Sequence, residues 1–157
     1  TWSGPLKWTL CVFGKAGSPF VADEVAKYSK RLRSYISFDI VELKESKRDD
    51  KTRGLAEEAA DFEKKFPKSD YAWIILAEEG KLLNTVQLAK WTEQKASTPC
   101  VFLIGSAYGI SSSIKEKAVL LLSLSPLTLT HDHARVILAE QLYRCEMVHR
   151  NHPYHHQ

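Results

Sequence analysis

Long apolar runs are missing from this sequence. No segment approaches the roughly 18 consecutive apolar residues that a membrane-spanning helix needs, and the first residues lack the basic-then-apolar order of a secretory signal. We therefore expect a soluble protein with no membrane partner.

Cysteine is also scarce, with three residues and no CxxC spacing. Cys11 and Cys100 lie within apolar runs, so they are predicted to be small buried hydrophobic residues, and Cys145 is the third. This pattern excludes a disulfide framework, argues against structural zinc and indicates a reducing compartment. We expect the cytoplasm, or an organelle of bacterial descent.

Neither sign of charge dominates. The chain has 22 Lys and Arg against 19 Asp and Glu, a formal net charge of +3. This balance permits an RNA partner without requiring one. Residues 27–53 hold nine basic side chains, diluted by several acidic ones. Two interpretations stay open for this stretch: a solvated face, or a rim that contacts phosphates.

The pattern of elements is typical of an α/β domain. A chain of 157 residues with 44% hydrophobic content suits one compact domain. Short apolar runs, rich in β-branched and aromatic residues, alternate with stretches of helical periodicity. The predicted strands are residues 8–13, 38–43, 71–77, 101–104 and 119–124.

Helix boundaries follow from capping residues and prolines. Ser18 caps a first helix that Pro19 begins, and Pro67 follows the end of a second. Asn84 or Thr85 caps a third helix. The last helix runs from about residue 132 to 149, with an apolar band too wide for one core-facing stripe. We expect it to pack on two sides, and another subunit is one candidate for the second contact.

Three loops follow predicted strands and share one edge of the sheet. The first, residues 105–109, starts and ends with glycine, which indicates either a ligand loop or a tight strand-to-helix turn. The second, residues 78–81, is predicted to be a turn. The third, residues 125–131, is rich in apolar residues and proline, as in the wall of a pocket for a partly apolar ligand.

The start of the last helix and the C-terminal residues carry histidines. Asp132 is the predicted N-cap of that helix. His152, His155 and His156 lack a carboxylate or cysteine partner, so zinc binding is a weak alternative, and a tag remnant is another for the final histidines.

Four segments, in this order and spacing, resemble the RlmH family of SPOUT-class methyltransferases. They are FLIG at 102–105, LSPLTL at 124–129 followed by His131, RVILAEQLYR at 135–144, and NHPYH at 151–155. The resemblance covers residues 7–157, which we interpret as a single SPOUT domain. Residues 1–6 precede the usual start, so we expect them to be an extension or residues added by cloning.

The resemblance implies a fold and an activity that composition does not supply. The implied fold is a parallel sheet with helices on both faces and a C-terminal deep trefoil knot, in a homodimer. The implied activity is methylation of N3 of a pseudouridine in large-subunit ribosomal RNA, in the hairpin at the subunit interface. S-adenosyl-L-methionine is the implied cofactor, bound in the knot loops, and no metal is expected.

The resemblance also implies site residues. The cofactor cleft would comprise Leu76, Gly105, Ser125, Pro126, Leu127, Thr128, Leu129 and Thr130. His131 would accept the N3 proton, unless a water does so, while Arg135 and Arg144 would hold phosphates or uracil carbonyls. Tyr143 and Tyr154 would stack on an extruded base, and His155 and His156 would contact RNA.

Three positions depart from the family pattern. Ser106 replaces a second glycine, and its side chain would crowd the cofactor or hydrogen-bond to it. Thr130 replaces a proline and His156 a basic residue, which we expect to loosen the loop and to weaken RNA binding. These departures support an alternative, an inactive ribosome-assembly factor on the same scaffold. Methylation of another RNA, such as tRNA, is a third hypothesis.

Overall fold

The structure is a computed structural model that describes residues 6–151. Within that range five strands alternate with five helices. In chain order they are β1 (Lys7–Phe13), α1 (Pro19–Arg33), β2 (Ser37–Leu43), α2 (Lys51–Lys65), β3 (Ala72–Leu82), α3 (Thr85–Gln94), β4 (Cys100–Leu103), α4 (Ser112–Glu116), β5 (Leu120–Ser123) and α5 (His131–His149).

The five strands form one parallel sheet in the order β2-β1-β4-β3-β5. At the centre, Phe102 of β4 is in register with Leu10 of β1 on one side and with Ile74 of β3 on the other. All four residues of β4 are buried, as expected for a parallel strand covered on both faces. The predicted α/β class is confirmed.

Alternation along the strands divides the core between the two faces of the sheet. Leu10 and Ile74 belong to a cluster that packs against α1, α3 and α5. Trp73 belongs to the opposite cluster, which contains Phe62 of α2 and Ile114 of α4. Helices therefore cover both faces, as the resemblance implied.

The end of β3 corrects a prediction. Residues 78–81 were expected to be a turn after a strand ending at residue 77, but β3 continues to Leu82. Its pairing with β5 is irregular, since both Leu76 and Lys81 are in register with Leu122. The intervening residues bulge out of the ladder, and a side chain on Gly80 would lie 2.7 Å from the carbonyl oxygen of Leu121. The glycine thus marks close approach of two strands rather than a turn.

Two predicted caps are confirmed and one is wrong. Ser18 caps α1 and Asn84 caps α3. Asp132 does not cap α5, because the hydroxyl of Thr130 accepts from the amide of His133 and the helix begins one residue earlier. The Asp132 carboxylate instead accepts from the amide of Gly17 at 2.9 Å, which ties α5 to the loop between β1 and α1.

The wide apolar band of α5 packs on two helices of the same chain, α1 and α3. Near its end, the ring of His149 bonds to the carboxylate of Glu146 at 3.2 Å and to the carbonyl oxygen of Ala89 in α3 at 2.6 Å. Burial alone would lower the pKa of His149, but these hydrogen bonds outweigh burial and raise the pKa above its ordinary value. His149 is thus a polar anchor between α5 and α3.

Candidate cofactor site

A cavity of about 310 Å³ lies at the carboxyl ends of β3, β4 and β5. Its wall combines the β3 bulge, the loop between β4 and α4, the loop between β5 and α5, and the first turn of α5. Open parallel sheets bind ligands at this edge, and the volume falls within the about 300 to 1,000 Å³ usual for small-molecule sites. The three predicted segments therefore converge, although residues 78–81 are a bulge within β3 and not a loop.

Five of the eight predicted cofactor residues line this cavity. They are Leu76, Gly105, Ser125, Leu127 and Leu129. Pro126 and Thr128 lie in the same loop but outside the lining, and Thr130 uses its hydroxyl to cap α5. Cofactor binding by these residues stays a prediction, whereas their arrangement around one cavity is observed.

The turn at Gly105 leaves no room for a side chain. A Cβ there would lie 2.7 Å from the carbonyl oxygen of Gly109 and 2.7 Å from a side-chain carbon of Ile110. The amide of Gly109 donates to the carbonyl of Ser106 at 2.8 Å, and Gly109 itself has a φ of +86°. The interpretation as a tight turn is confirmed, and the same turn forms one wall of the cavity.

The β5–α5 loop places an apolar side chain at the edge of the cavity. Leu127 lines the cavity although 73% of its surface is exposed. Its amide donates to the hydroxyl of Ser125 at 2.9 Å, which fixes the start of the loop. A ligand in the cavity would cover Leu127 and bury apolar surface that water now contacts.

His131 is the predicted catalytic residue that reaches this cavity. It is the first residue of α5, it is exposed, and it contributes to the lining. Its position beside the β5–α5 loop suits a proton acceptor at the mouth of the cavity, and that role stays a prediction.

Arg135 lies elsewhere. It is 6% exposed, and its guanidinium donates to the carbonyl oxygens of Phe13 at 3.0 Å and Gly14 at 3.3 Å, at the end of β1. Arg135 borders a separate cavity of about 440 Å³ between α1 and the first two strands. In this structure one guanidinium nitrogen binds two carbonyls at the end of β1, and a contact of Arg135 with RNA stays a prediction.

Tyr143 and Arg144 also lie outside the lining of the cofactor cavity. Tyr143 is 7% exposed and its ring packs against Tyr28 of α1, with the Arg31 guanidinium over it. Stacking of this ring on a base stays a prediction. Arg144 donates to the carboxylate of Glu140 at 3.0 Å. The predicted RNA contacts of Tyr154, His155 and His156 fall outside residues 6–151.

Sequence reasoning missed two contributions to the site. Glu79 in the β3 bulge and Lys115 of α4 both line the cavity and form an ion pair at 2.9 Å. The hydrogen bond from Lys115 lowers the pKa of Glu79.

The other contribution that sequence reasoning missed is Glu58, a buried carboxylate of α2 behind the Gly105 turn. The sequence could have shown it, because Glu58 is a charged residue on the apolar face of the helix that Leu55 and Phe62 define.

The cysteines behave as predicted. Cys11, Cys100 and Cys145 are buried and form no disulfide bond. Burial raises their pKa values to about 12, about 11 and about 12, so the thiols are unreactive at neutral pH.

Within residues 6–151 no three His, Cys, Asp or Glu side chains form a group suited to a metal ion. No helix in that range is long and apolar enough to cross a membrane.

Solved methyltransferases share this architecture. The SpoU methyltransferase AviRb from Streptomyces viridochromogenes, solved with AdoMet, matches 92% of this chain with a TM-score of 0.51 and 11% identity. This chain spans 60% of the length of AviRb. A probable methylase family protein from Haemophilus influenzae Rd KW20 matches 97% of this chain over 71% of its own length, with a TM-score of 0.56 and 13% identity. At these identities the likeness defines a fold class.

Sequence comparison narrows that class to a family. A family model described as "Predicted SPOUT methyltransferase" matches residues 6–155. Relatives called "Ribosomal RNA large subunit methyltransferase H" include one from Gloeobacter violaceus, 36% identical over 83% of this chain and 86% of its own. Another, from Syntrophotalea carbinolica, is 37% identical over 94% of this chain and 97% of its own length. The chain belongs to the SPOUT methyltransferase family, in the RlmH group of these relatives.

Proposed function

We propose that this protein uses S-adenosyl-L-methionine to methylate N3 of a pseudouridine in large-subunit ribosomal RNA, in the hairpin at the ribosomal subunit interface. The observation that carries the proposal is the convergence of three strand exits on one cavity in a chain of this family. The names of the relatives support ribosomal RNA as the substrate.

The residues around the cavity fit a partly apolar cofactor. Leu76, Ile104 and Leu129 supply apolar walls, and the Gly105 turn brings backbone close to the space without a side chain. Ser125 and His131 add a few polar groups, a composition usual for small-molecule sites.

S-adenosyl-L-methionine, when bound, supplies a methyl group on a positively charged sulfur. The protein's part is chiefly to align that methyl with the nucleophile and to keep water away, because backside attack needs little covalent help. Leu127, at the cavity edge, would exclude water from the methyl. His131, at the same edge, would accept the proton that leaves N3 or orient a water that does so.

RNA recognition would come from the protein surface and from the ribosome itself. We propose a homodimer with the family's trefoil knot, acting in the cytoplasm on assembled ribosomes. Phosphate contacts by basic residues within 27–53 and at the C-terminus would make binding weaken as salt rises.

Two measurements test the proposed function. Isothermal titration with S-adenosyl-L-methionine should show binding, and tritiated methyl incorporation should appear in ribosomes but not in bulk tRNA. Mapping of the modified nucleotide should find N3-methylpseudouridine. A folded protein that binds no cofactor would leave the assembly-factor hypothesis, and incorporation into tRNA would replace the ribosomal substrate.

A further inference from the structure

Behind the cofactor cavity lies a carboxylate that the proposed chemistry does not use. Glu58 of α2 is 3% exposed and sits among apolar side chains that include Phe62 and Ile114. A carboxylate is costly to bury unless its oxygens accept hydrogen bonds, so the partners of Glu58 show what it does.

Both carboxylate oxygens accept a hydrogen bond, and the two donors come from different segments. One oxygen accepts from the hydroxyl of Ser106 at 2.5 Å. The other accepts from the backbone amide of Ser46 at 2.9 Å. Glu58 therefore joins α2 to the β4–α4 loop and to the segment after β2.

The Ser106 hydroxyl continues this chain of hydrogen bonds into the turn. It accepts from the backbone amide of Tyr108 at 3.2 Å while it donates to Glu58. The phenol of Tyr108 donates to the backbone carbonyls of Ser46 and Arg48. Glu58, Ser46, Ser106 and Tyr108 thus form a closed network, which we call the Glu58 network.

The Glu58 network and the cofactor cavity share the 105–110 turn. Ser106 is 2% exposed and its hydroxyl is engaged with Glu58, so the serine does not offer that group to a ligand. Ser106 itself and the nearby Gly105, Gly109 and Ile110 line the cavity. Whatever fixes Ser106 therefore fixes the shape of that wall.

We propose that Glu58 is a positioning residue, whose carboxylate holds the Ser106 turn in the shape that binds S-adenosyl-L-methionine. The inference rests on the proposed function for the identity of the ligand. It also explains how a serine fits this turn, because its hydroxyl bonds to the buried Glu58 carboxylate.

Two variants disrupt the bond between Glu58 and Ser106. Glu58→Gln replaces one accepting oxygen by an NH2 group, so the Ser106 hydroxyl loses its charged acceptor and faces a donor, while the remaining oxygen can still accept from the Ser46 amide. Ser106→Ala removes one buried hydroxyl and leaves the Tyr108 amide without its acceptor. Glu63→Gln is the matched control, since it makes the same change on the same helix at a partly exposed ion pair with Lys117.

Cofactor affinity is the first readout. We expect the dissociation constant for S-adenosyl-L-methionine to rise about tenfold in Glu58→Gln and in Ser106→Ala, which corresponds to about 1.4 kcal/mol. The double variant should be little worse than either single variant, because both remove the same interaction. The control should bind like the wild type. If Glu58→Gln fails to fold, Ser106→Ala alone carries the test.

Hydrogen exchange of the free protein is the second readout and needs no cofactor. The amides of Tyr108 and Gly109 should exchange about tenfold faster in both variants and at the wild-type rate in the control. A merely structural role would lower the melting temperature without changing these amides or the affinity, and that result would overturn the inference. If the wild type binds no cofactor while the amides respond as expected, the proposed function fails and the positioning of the turn stands.

Discussion

Gly105→Ala is the substitution whose effect the structure defines most closely. The added Cβ would lie 2.7 Å from the carbonyl oxygen of Gly109, where ordinary contact begins at 3.4 Å, so the turn must open by about 0.7 Å. The obstacle is backbone, which cannot rotate away as a side chain can. Overpacking of this kind costs about 1 to 3 kcal/mol. At about 2 to 4 °C per kcal/mol, the melting temperature should fall by about 2 to 12 °C.

Cofactor affinity should fall as well, because the turn that must open is a wall of the cavity. We expect the dissociation constant for S-adenosyl-L-methionine to rise at least about tenfold, or about 1.4 kcal/mol. Calorimetric titration and thermal denaturation measure the two effects on one preparation.

Gly14→Ala is the matched control. Gly14 has a φ of +76° but has open space around its Cβ position, with the nearest atom at 3.9 Å, and it does not line the cavity. Alanine there should cost about 1 to 2 kcal/mol through backbone strain alone. Stability should fall in both variants and affinity only in Gly105→Ala. Unchanged cofactor affinity in folded Gly105→Ala would refute the account of this wall.

Three further predictions concern the proton acceptor, an anchor of α5 and the thiols. At saturating cofactor, His131→Ala should methylate ribosomes about 10² to 10⁴-fold more slowly; normal turnover would assign the proton to another acceptor. The raised pKa of His149 means that its protonated form stabilises the fold below its unfolded pKa, and that this contribution is lost as pH rises through the folded pKa. Chemical denaturation should therefore show the largest stability gap between wild type and His149→Gln at acidic pH, narrowing as pH rises through the folded pKa; a gap that widens with pH would contradict the direction of the shift. A thiol reagent at pH 7 should label the unfolded protein and leave the native protein unlabelled at its three buried cysteines, Cys11, Cys100 and Cys145; rapid labelling of the native protein would show that one of them is accessible.

Local pattern was enough to predict the order of elements. The five apolar runs became the five strands, and Ser18 and Asn84 capped the helices they were expected to cap. These features depend on neighbours in sequence, such as a hydroxyl three residues before an amide. The convergence of three segments at one edge followed from a general property of parallel sheets, which bind their ligands at the carboxyl edge.

The errors arose where distant segments decide the structure. The β3 bulge follows from pairing with β5, and a polar Glu-Glu-Gly-Lys stretch reads as a turn when that partner is unknown. At α5, Thr130 and Asp132 are both good capping residues, and only the contact of Asp132 with Gly17 shows why the aspartate is used elsewhere. The partners of Arg135 are likewise distant in sequence: it is buried, and its guanidinium donates to the carbonyl oxygens of Phe13 and Gly14.

The most direct test of the central claim is a crystal structure of the protein with S-adenosyl-L-methionine. The account predicts that the cofactor lies in the cavity between the β3 bulge, the Gly105 turn and the β5–α5 loop, in contact with Leu76 and Leu127, with the Ser106 hydroxyl still on Glu58. A cofactor bound outside this cavity, or a Ser106 side chain turned into it, would contradict the account.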